Sequence, residues 1–191
     1  MKVYKNTKAL FAELIDEFEK KLGITLSEYS KIYLMSFLEK LAESYEHFYI
    51  LAIDEKPLIE ILLEALHKDL FKKITELKLV GDICLLFSGL YPDYTSNKII
   101  DIDYYINIGR SSYSFIANTY RNLKSKEDLY TLYLKLTEEF QSLTSILTEI
   151  SDEINLLNKN NIYNILNRWN KTGIKKYSEI LKNNKIIPFP N

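Results

Sequence analysis

A helix that is apolar on nearly every face must lie inside a protein, and the sequence contains one such segment. Between about Asp69 and Phe87 the apolar residues recur around the whole helical circumference, and the only cysteine, Cys84, lies among them. Such a helix is buried, because every face has to be shielded from water by other elements. The rest of the chain is therefore expected to be organised around this segment.

A second helix is expected after a turn marked by Pro92. Gly89 is expected to be the C′ glycine of the first helix, and Pro92 prevents that helix from continuing. Asp101 or Asp103 is a natural N-cap for the second helix, because a carboxylate accepts the free backbone N–H groups at a helix start. The range Asp69 to Leu123 is therefore predicted to form a buried helical hairpin at the centre of the fold.

Each helix of this hairpin carries an interior glycine, Gly81 or Gly109, which costs about 1 kcal/mol of helix propensity relative to alanine. In an antiparallel pair the two glycines would differ in level by only about 3 Å, so the backbones could approach closely. Each glycine is followed by a charge, Asp82 or Arg110. We expect these two side chains to form an ion pair across the crossing, because buried charges are tolerated only when paired.

The polar residues of the hairpin allow two interpretations. In the structural one, a buried Asp82–Arg110 pair fixes the register of the helices. In the functional one, polar side chains line a pocket for a small ligand, a setting in which perturbed ionisable groups are typical. The residues predicted to line that pocket are Asp82, Ser88, Tyr91, Asp103, Tyr104, Arg110 and Tyr113.

Amphipathic helices are predicted on either side of the hairpin. A helix over Thr7 to Leu22 has i, i+3, i+4 spacing and ends at Gly23. Thr25-Leu-Ser-Glu28 has the spacing of a capping box for the next helix. Asp54 is expected to cap a third helix. Residues 128–150 are expected to form one long helix, with two shorter helices and an extended tail after it.

Few turns are available to the chain, since 191 residues contain five glycines and four prolines. This composition favours long helices over a many-stranded sheet. The predicted fold is therefore all-α: a single domain over residues 1–191, built as a multi-helix bundle of about seven to eight helices around the central hairpin.

Composition and charge point to an ordinary globular protein. The net charge is −1, with 27% charged and 47% hydrophobic residues, which is typical of globular domains. A single cysteine cannot form an intrachain disulfide and fits a reducing compartment. The charged N-terminus does not read as a signal peptide, and no stretch approaches the roughly 20 apolar residues that span a bilayer. A cytoplasmic protein without membrane association is expected.

Two segments of the sequence resemble a known family. The run GDICLLFSGLYPD, followed by DYYINIGRSSY, is similar to a pattern in a family of uncharacterised bacterial helical proteins. The later run RWNKTGIKKYSEIL resembles the C-terminal segment of that family. The resemblance covers the middle and the end of the chain. It implies a helical fold and brings no activity, cofactor or catalytic residue with it.

Motifs for catalysis and cofactor binding are incomplete. Glu64 and His67 form one Glu-x-x-His step, whereas a di-iron bundle needs two such steps and two further glutamates. Ser88 lacks the G-x-S-x-G context of a nucleophile elbow, and Cys84 lacks a nearby cation that would lower its pKa. No glycine-rich phosphate loop is present. No catalytic residue, metal or cofactor is therefore assigned.

Two kinds of macromolecular partner are considered. From Lys159 onwards seven basic residues face one acidic residue, Glu179, as on a nucleic-acid surface. The acidic segment between Glu127 and Glu153 could neutralise those charges instead, so nucleic acid is the less favoured partner. The apolar tail Ile186 to Phe189 and the abundance of tyrosine favour a homodimer.

The leading functional prediction is a non-catalytic protein that binds a partner or a small ligand, as a homodimer. The alternative from a different class is an enzyme that uses Asp82, Asp103, Arg110 and neighbouring tyrosines for acid–base or anion chemistry. Solvent access separates the two, because a cluster closed by packing is scaffold, whereas one that opens to a cleft is a site.

Overall fold

The computed structural model of the chain describes residues 7–43, 56–91, 101–123 and 126–156. Seven α-helices lie in these ranges, which contain no β-strand: α1 Thr7–Leu22, α2 Glu28–Glu43, α3 Leu58–Ala65, α4 Leu70–Leu90, α5 Ile102–Arg121, α6 Glu127–Glu138 and α7 Phe140–Leu156. The predicted all-α, multi-helix fold is confirmed.

The chain divides into two compact units, Met1–Glu149 and Ile150–Asn191. Helices α1 to α6 and most of α7 belong to the first unit. Of the second unit, the described residues are those of the last turns of α7. The prediction of one domain over residues 1–191 therefore stays a prediction.

Helix α4 is the buried helix that the sequence predicts. Its buried residues are Leu77, Val80, Gly81, Asp82, Ile83, Cys84, Leu85, Leu86, Ser88 and Gly89, and it packs most extensively against α5. Each fully buried Leu or Ile contributes about 1.5–3 kcal/mol relative to an exposed one. The central position of the hairpin in the first unit is thereby confirmed.

The first turn of α4 differs from the prediction. Leu70 and Phe71 were expected to be buried with the rest of the helix, but they are 51% and 79% exposed. This turn follows the exposed residues 67–69 at the surface. The buried part of the helix begins at Leu77, so the apolar character of the sequence overestimates its length.

Of three predicted helix boundaries, two are confirmed and one is wrong. Gly23 ends α1 with a positive φ of 65°, as expected of a glycine at a helix C-terminus. Asp101 is the N-cap of α5, and its carboxylate accepts a hydrogen bond from the Ile102 N–H at 2.6 Å. Gly89 does not end α4, which continues to Leu90.

The capping box predicted at Thr25 and Glu28 is wrong, because α2 begins at Glu28 itself. Ser27 caps the helix instead, and its Oγ accepts a hydrogen bond from the Ser30 N–H at 3.3 Å. The Glu139 carboxylate accepts hydrogen bonds from the backbone N–H and the hydroxyl of Ser27, both at 3.0 Å. The Glu139 carboxylate, from a distant part of the chain, therefore accepts the N–H of the capping residue, as the glutamate of a local capping box would.

The single long helix predicted over residues 128–150 is interrupted at Glu139. This residue, with φ −96° and ψ 9°, separates α6 from α7. Backbone hydrogen bonds continue on both sides, from the Glu139 N–H to Lys135 O at 2.8 Å and from the Leu143 N–H to Glu139 O at 2.9 Å. The interruption is thus confined to Glu139, the residue whose side chain also caps α2.

Glycines in the helix interiors receive large side chains from neighbouring helices. A Cβ at Gly109 would lie 2.3 Å from the ring of Phe140 and 2.9 Å from Cys84 Cβ, and one at Gly81 would lie 2.4 Å from the ring of Tyr113. The predicted close approach of α4 and α5 is therefore present. The two glycines were expected to face each other, but each faces a side chain instead.

Gly89 is the third glycine of this kind, since a Cβ there would lie 2.5 Å from Leu147 Cβ. This contact gives a physical reason for a glycine at this position, because a larger side chain would collide with Leu147. The helix keeps its regular conformation, and the space above the glycine is filled by α7.

Some predictions fall on residues outside the described ranges. They are the Asp54 cap, the turn at Pro92, the short helices after residue 160, the basic C-terminal segment and the tail Ile186 to Phe189. Among the residues that are described, no helix is at once long and apolar enough to traverse a membrane.

Candidate functional site

In the part of the chain that the structure describes, several polar groups from four helices meet around the buried carboxylate of Asp82. We call this group the Asp82 cluster, and it comprises Tyr33 from α2, Lys78 and Asp82 from α4, Tyr113 from α5 and Tyr133 from α6. Asp82 is 5% exposed. Burying a carboxylate is costly unless it is paired and hydrogen-bonded, so its partners decide what the cluster can do.

Both oxygens of the Asp82 carboxylate have partners. Oδ1 accepts hydrogen bonds from the Tyr113 hydroxyl at 2.8 Å and from the Tyr33 hydroxyl. Oδ2 forms an ion pair with Lys78 Nζ, one helical turn earlier on α4. The negative charge is therefore compensated by one cation and two hydroxyl donors that the chain itself provides.

Aromatic rings enclose these polar contacts. The Tyr33 ring lies 5.9 Å from that of Tyr113 and 6.5 Å from that of Tyr133, both in edge-on arrangements. The Tyr113 and Tyr133 rings are 5.9 Å apart, and Lys78 Nζ lies 5.0 Å from the centroid of the Tyr33 ring. Such a cation–π contact adds to the ion pair in holding the ammonium.

The protonation of the tyrosines follows from burial and from the neighbouring negative charge. Burial raises the pKa of Tyr33 and of Tyr113 well above the ordinary tyrosine value, and the Asp82 charge raises both pKa values further. Burial followed by the same charge also raises the pKa of Tyr133. All three hydroxyls therefore stay protonated, and those of Tyr33 and Tyr113 act as donors to Asp82.

The predicted Asp82–Arg110 ion pair is wrong. Arg110 is exposed on α5, whereas Asp82 is buried on α4 and pairs with Lys78. The residue before Arg110, Gly109, faces α4 and Phe140, and successive helical residues point about 100° apart. With Gly109 directed inwards, Arg110 is turned towards solvent.

Sequence reasoning missed Lys78, Tyr33 and Tyr133 as members of the cluster. Lys78 carried a usable signal, because opposite charges at i, i+4 on one helix are neighbours. Tyr33 carried none, since it lies 49 residues before Asp82 in the sequence. Which tyrosines surround Asp82 depends on how the helices rotate against one another.

Two other predicted pocket residues make structural contacts away from the carboxylate. The Ser88 hydroxyl lies 2.8 Å from Cys84 O as a donor to that carbonyl, and 3.2 Å from Thr144 Oγ1. The Tyr104 hydroxyl accepts a hydrogen bond from the Ile59 N–H at 3.2 Å, which links α5 to the first turn of α3.

The remaining predicted residues lie at the ends of the hairpin helices. Tyr91 is the C-cap of α4, with its ring 6.4 Å from that of Phe87. Asp103 is exposed in the first turn of α5. Of the predicted pocket residues, the structure places Asp82 and Tyr113 in direct contact. A ligand-binding role for the set stays a prediction.

Two further groups that could take part in chemistry, Cys84 and Glu64, are buried or paired. Burial raises the pKa of the Cys84 thiol, which is fully buried, so its reactive thiolate form is disfavoured. Glu64 forms an ion pair with Lys56. The described part of the chain holds no group of three or more His, Cys, Asp or Glu residues arranged to bind a metal ion.

A second feature of functional interest is apolar and exposed. Phe71 is 79% exposed and Leu70 51% exposed, in the first turn of α4. We call these two residues the Leu70–Phe71 patch, and its rim consists of Lys68, Asp69 and Lys72. Within the described ranges, the other exposed large apolar residues are Tyr29, Ile32, Leu63, Phe115 and Leu123, at 37–57% exposure. Phe71 exceeds all of these.

Comparison of the chain with protein-family models, with curated proteins and with solved structures gave no match. The resemblance to a family of bacterial helical proteins therefore stays a prediction.

Proposed function

We propose that the protein is a non-catalytic interaction protein of the cytoplasm. In this proposal the Asp82 cluster holds the helices in register, and the Leu70–Phe71 patch binds a partner protein. The observation that carries it is the exposure of Phe71, 79%, at the start of a helix whose middle is completely buried. The buried thiol of Cys84 is compatible with a reducing compartment.

The structural role of the Asp82 cluster is supported by how its carboxylate is satisfied. A general base or a ligand-binding carboxylate needs an oxygen that a substrate can reach. Both Asp82 oxygens are instead occupied by Lys78, Tyr33 and Tyr113. Because these groups come from three helices, the cluster connects α2, α4 and α5, as buried polar networks do when they specify one arrangement of a core.

The binding role of the patch is supported by its chemistry. Aromatic residues are enriched in the buried centres of protein interfaces, and charged residues are depleted there. The rim around such a centre remains polar. Phe71 and Leu70 would provide such a centre, and Lys68, Asp69 and Lys72 such a rim. A small number of well-buried side chains carries most of the energy of a typical interface, so a compact patch can suffice.

Site-specific photo-crosslinking tests this proposal. The photoreactive amino acid p-benzoylphenylalanine would replace Phe71 in the full chain, expressed in its native cell. The matched control replaces Ile32, which is 57% exposed on α2. A defined crosslinked band from position 71 and none from position 32 is the expected result. Equal labelling at both positions, or none at position 71, would contradict a partner-binding patch.

A small-ligand function at the Asp82 cluster is the second candidate. The observation that favours it is Lys78, whose side chain is 32% exposed while its ammonium contacts the buried carboxylate. An amine-containing ligand could replace that ammonium from the solvent side. Native mass spectrometry of freshly purified protein tests this, because a bound small molecule adds a defined mass that denaturation removes. A spectrum without adducts would count against this candidate.

A further inference from the structure

We infer that the partner of the Leu70–Phe71 patch is a second copy of this chain, bound about a two-fold axis. This inference rests on the proposed function, since it names the partner that the patch binds. Two-fold dimers are the commonest protein assemblies, and they require a surface that is complementary to itself. The patch has to satisfy that requirement in its centre and in its rim.

The centre of the patch is self-complementary because it is apolar. Leu70 and Phe71 are adjacent, and each exposes at least half of its surface. An aromatic side chain buries about 150–250 Å² when it is enclosed. A two-fold contact would bury Phe71 of both copies at once, so each copy provides both the anchor and the apolar surface that receives it.

The rim is self-complementary because it carries both charges. Lys72 Nζ lies 3.4 Å from Asp69 Oδ2, and both side chains are largely exposed, at 69% and 60%. In a two-fold arrangement Lys72 of each copy can meet Asp69 of the second copy without leaving a charge unpaired. Opposite charges that face each other in this way favour correct pairing over other partners.

The same rim disfavours an anionic partner. Lys68 pairs with Glu76 at 2.6 Å, and Asp69 lies 3.4 Å from Lys72, so the positive charges of the rim are interspersed with negative ones. Nucleic acids and anionic lipid surfaces need a clear excess of positive charge. The backbone N–H of Lys72 also donates to Asp69 Oδ1 at 3.2 Å, which occupies one of the donors that a bound phosphate would use.

The size of the patch predicts a weak dimer. Stable interfaces bury about 1,200–2,000 Å² in total, and transient ones bury less. Two apolar residues per copy with a narrow rim fall at the lower end of that scale. The dimer is therefore expected to form and dissociate with concentration, and removal of Phe71 is expected to weaken it about 30-fold or more.

Sedimentation velocity over a wide range of protein concentration tests the inference on the full chain. The variants are Phe71→Ser and, as a matched control, Ile32→Ser, which removes exposed apolar surface from α2. The expected result is a mass that rises from 22.5 kDa towards twice that value in the wild type and in Ile32→Ser. Phe71→Ser should remain monomeric over the same range.

Crosslinking distinguishes failure of this inference from failure of the proposed function. With p-benzoylphenylalanine at position 71, the purified protein should give a product of twice the monomer mass. A monomer at every concentration, or a dimer that Phe71→Ser leaves unchanged, would overturn the homodimer. If position 71 then captures a different protein in cells, the proposed function stands; if it captures nothing, both proposals fail.

Discussion

Gly81 leaves the space in which the ring of Tyr113 lies, and the hydroxyl of that ring donates a hydrogen bond to Asp82, the residue that follows the glycine. A Cβ at position 81 would lie 2.4 Å from Tyr113 Cε1, and the Tyr113 hydroxyl lies 2.8 Å from Asp82 Oδ1. Steric fit and polar satisfaction at the α4–α5 contact therefore depend on the same two neighbouring positions. Because of this coupling, the Asp82 cluster can fix the position of α5 along α4.

Substitution of this glycine provides a first test. Gly81→Ala should gain up to about 1 kcal/mol of helix propensity, but the added methyl group displaces the Tyr113 ring and overpacks a buried site, which typically costs 1–3 kcal/mol. Loss of the hydrogen bond to Asp82 adds to that cost. We expect a net decrease in the free energy of unfolding, measured by urea denaturation.

Asn107→Ala is the matched control, because Asn107 is exposed on α5 and its replacement changes helix propensity without touching the core. It should leave stability unchanged or slightly increased. If Gly81→Ala were as stable as this control, the close fit between Gly81 and Tyr113 would be refuted.

The raised pKa values of the cluster tyrosines predict how stability changes at alkaline pH. Burial first and the Asp82 charge second raise the pKa of Tyr33 and Tyr113 in the folded state. In the unfolded chain a tyrosine has a pKa of about 10. The folded state then holds protons that the unfolded state releases, so stability is full below about pH 10 and falls as the pH rises above it.

Urea denaturation at a series of pH values between about 8 and 11 measures this fall. Each buried tyrosine contributes a slope of up to about 1.4 kcal/mol per pH unit above its unfolded pKa. Tyr113→Phe removes one such group and should make the fall less steep, although it lowers stability at neutral pH. An identical slope in the variant would contradict the burial of the Tyr113 hydroxyl.

Glu139 is predicted to stabilise a helix from which it is remote in sequence. Its carboxylate accepts hydrogen bonds from the N–H and the hydroxyl of Ser27, 112 residues away. Loss of a helix-capping interaction costs about 0.5–2 kcal/mol, so Glu139→Ala should lower the free energy of unfolding by that amount. Hydrogen exchange of the first turn of α2 should also become faster.

Glu138→Ala is the control for this effect. Glu138 is exposed and pairs with Lys135 at 2.7 Å on the same helix, and such surface pairs contribute little to stability. Its replacement should change neither the exchange of α2 nor the urea midpoint as much as Glu139→Ala does. Equal effects of the two substitutions would mean that the cap at Ser27 is unimportant.

Substitution by serine should change the free energy of unfolding little at Phe71 and greatly at Phe140. Phe71→Ser removes a side chain that is 79% exposed, and surface substitutions usually change stability by less than about 0.5 kcal/mol. Phe140 is fully buried and packs over Gly109, so Phe140→Ser should cost at least about 3 kcal/mol. A large loss from Phe71→Ser would show that Phe71 belongs to the core, not to a binding surface.

The features that the sequence predicts well depend on local chemistry. The all-α fold, the burial of α4, the glycine that ends α1 and the Asp101 cap of α5 all follow from patterns within a few residues. Gly89 shows where that logic stops. It has the residue type of a helix end, but it lies one residue before the end of α4, where Leu147 packs against it.

The candidate site was harder to predict because it depends on helix rotation. Asp82 and Tyr113 were identified as polar residues of the hairpin, and they are in contact. Their partner Tyr33 comes from α2, and no sequence pattern specifies which face of α2 meets α4. The glycine–charge pattern predicts Arg110 as the partner of Asp82, whereas the structure pairs Asp82 with Lys78, one turn away on the same helix.

The free energy of unfolding of Asp82→Asn tests the central claim of a structural Asp82 cluster most directly. Asparagine keeps the shape of the side chain and removes its charge. Hydrogen bonds to charged groups contribute about 1.5–3 kcal/mol each, so the scaffold role predicts a loss of at least that size relative to the wild type. Unchanged or increased stability would contradict the claim, because residues kept for binding or catalysis are often replaced without loss of stability.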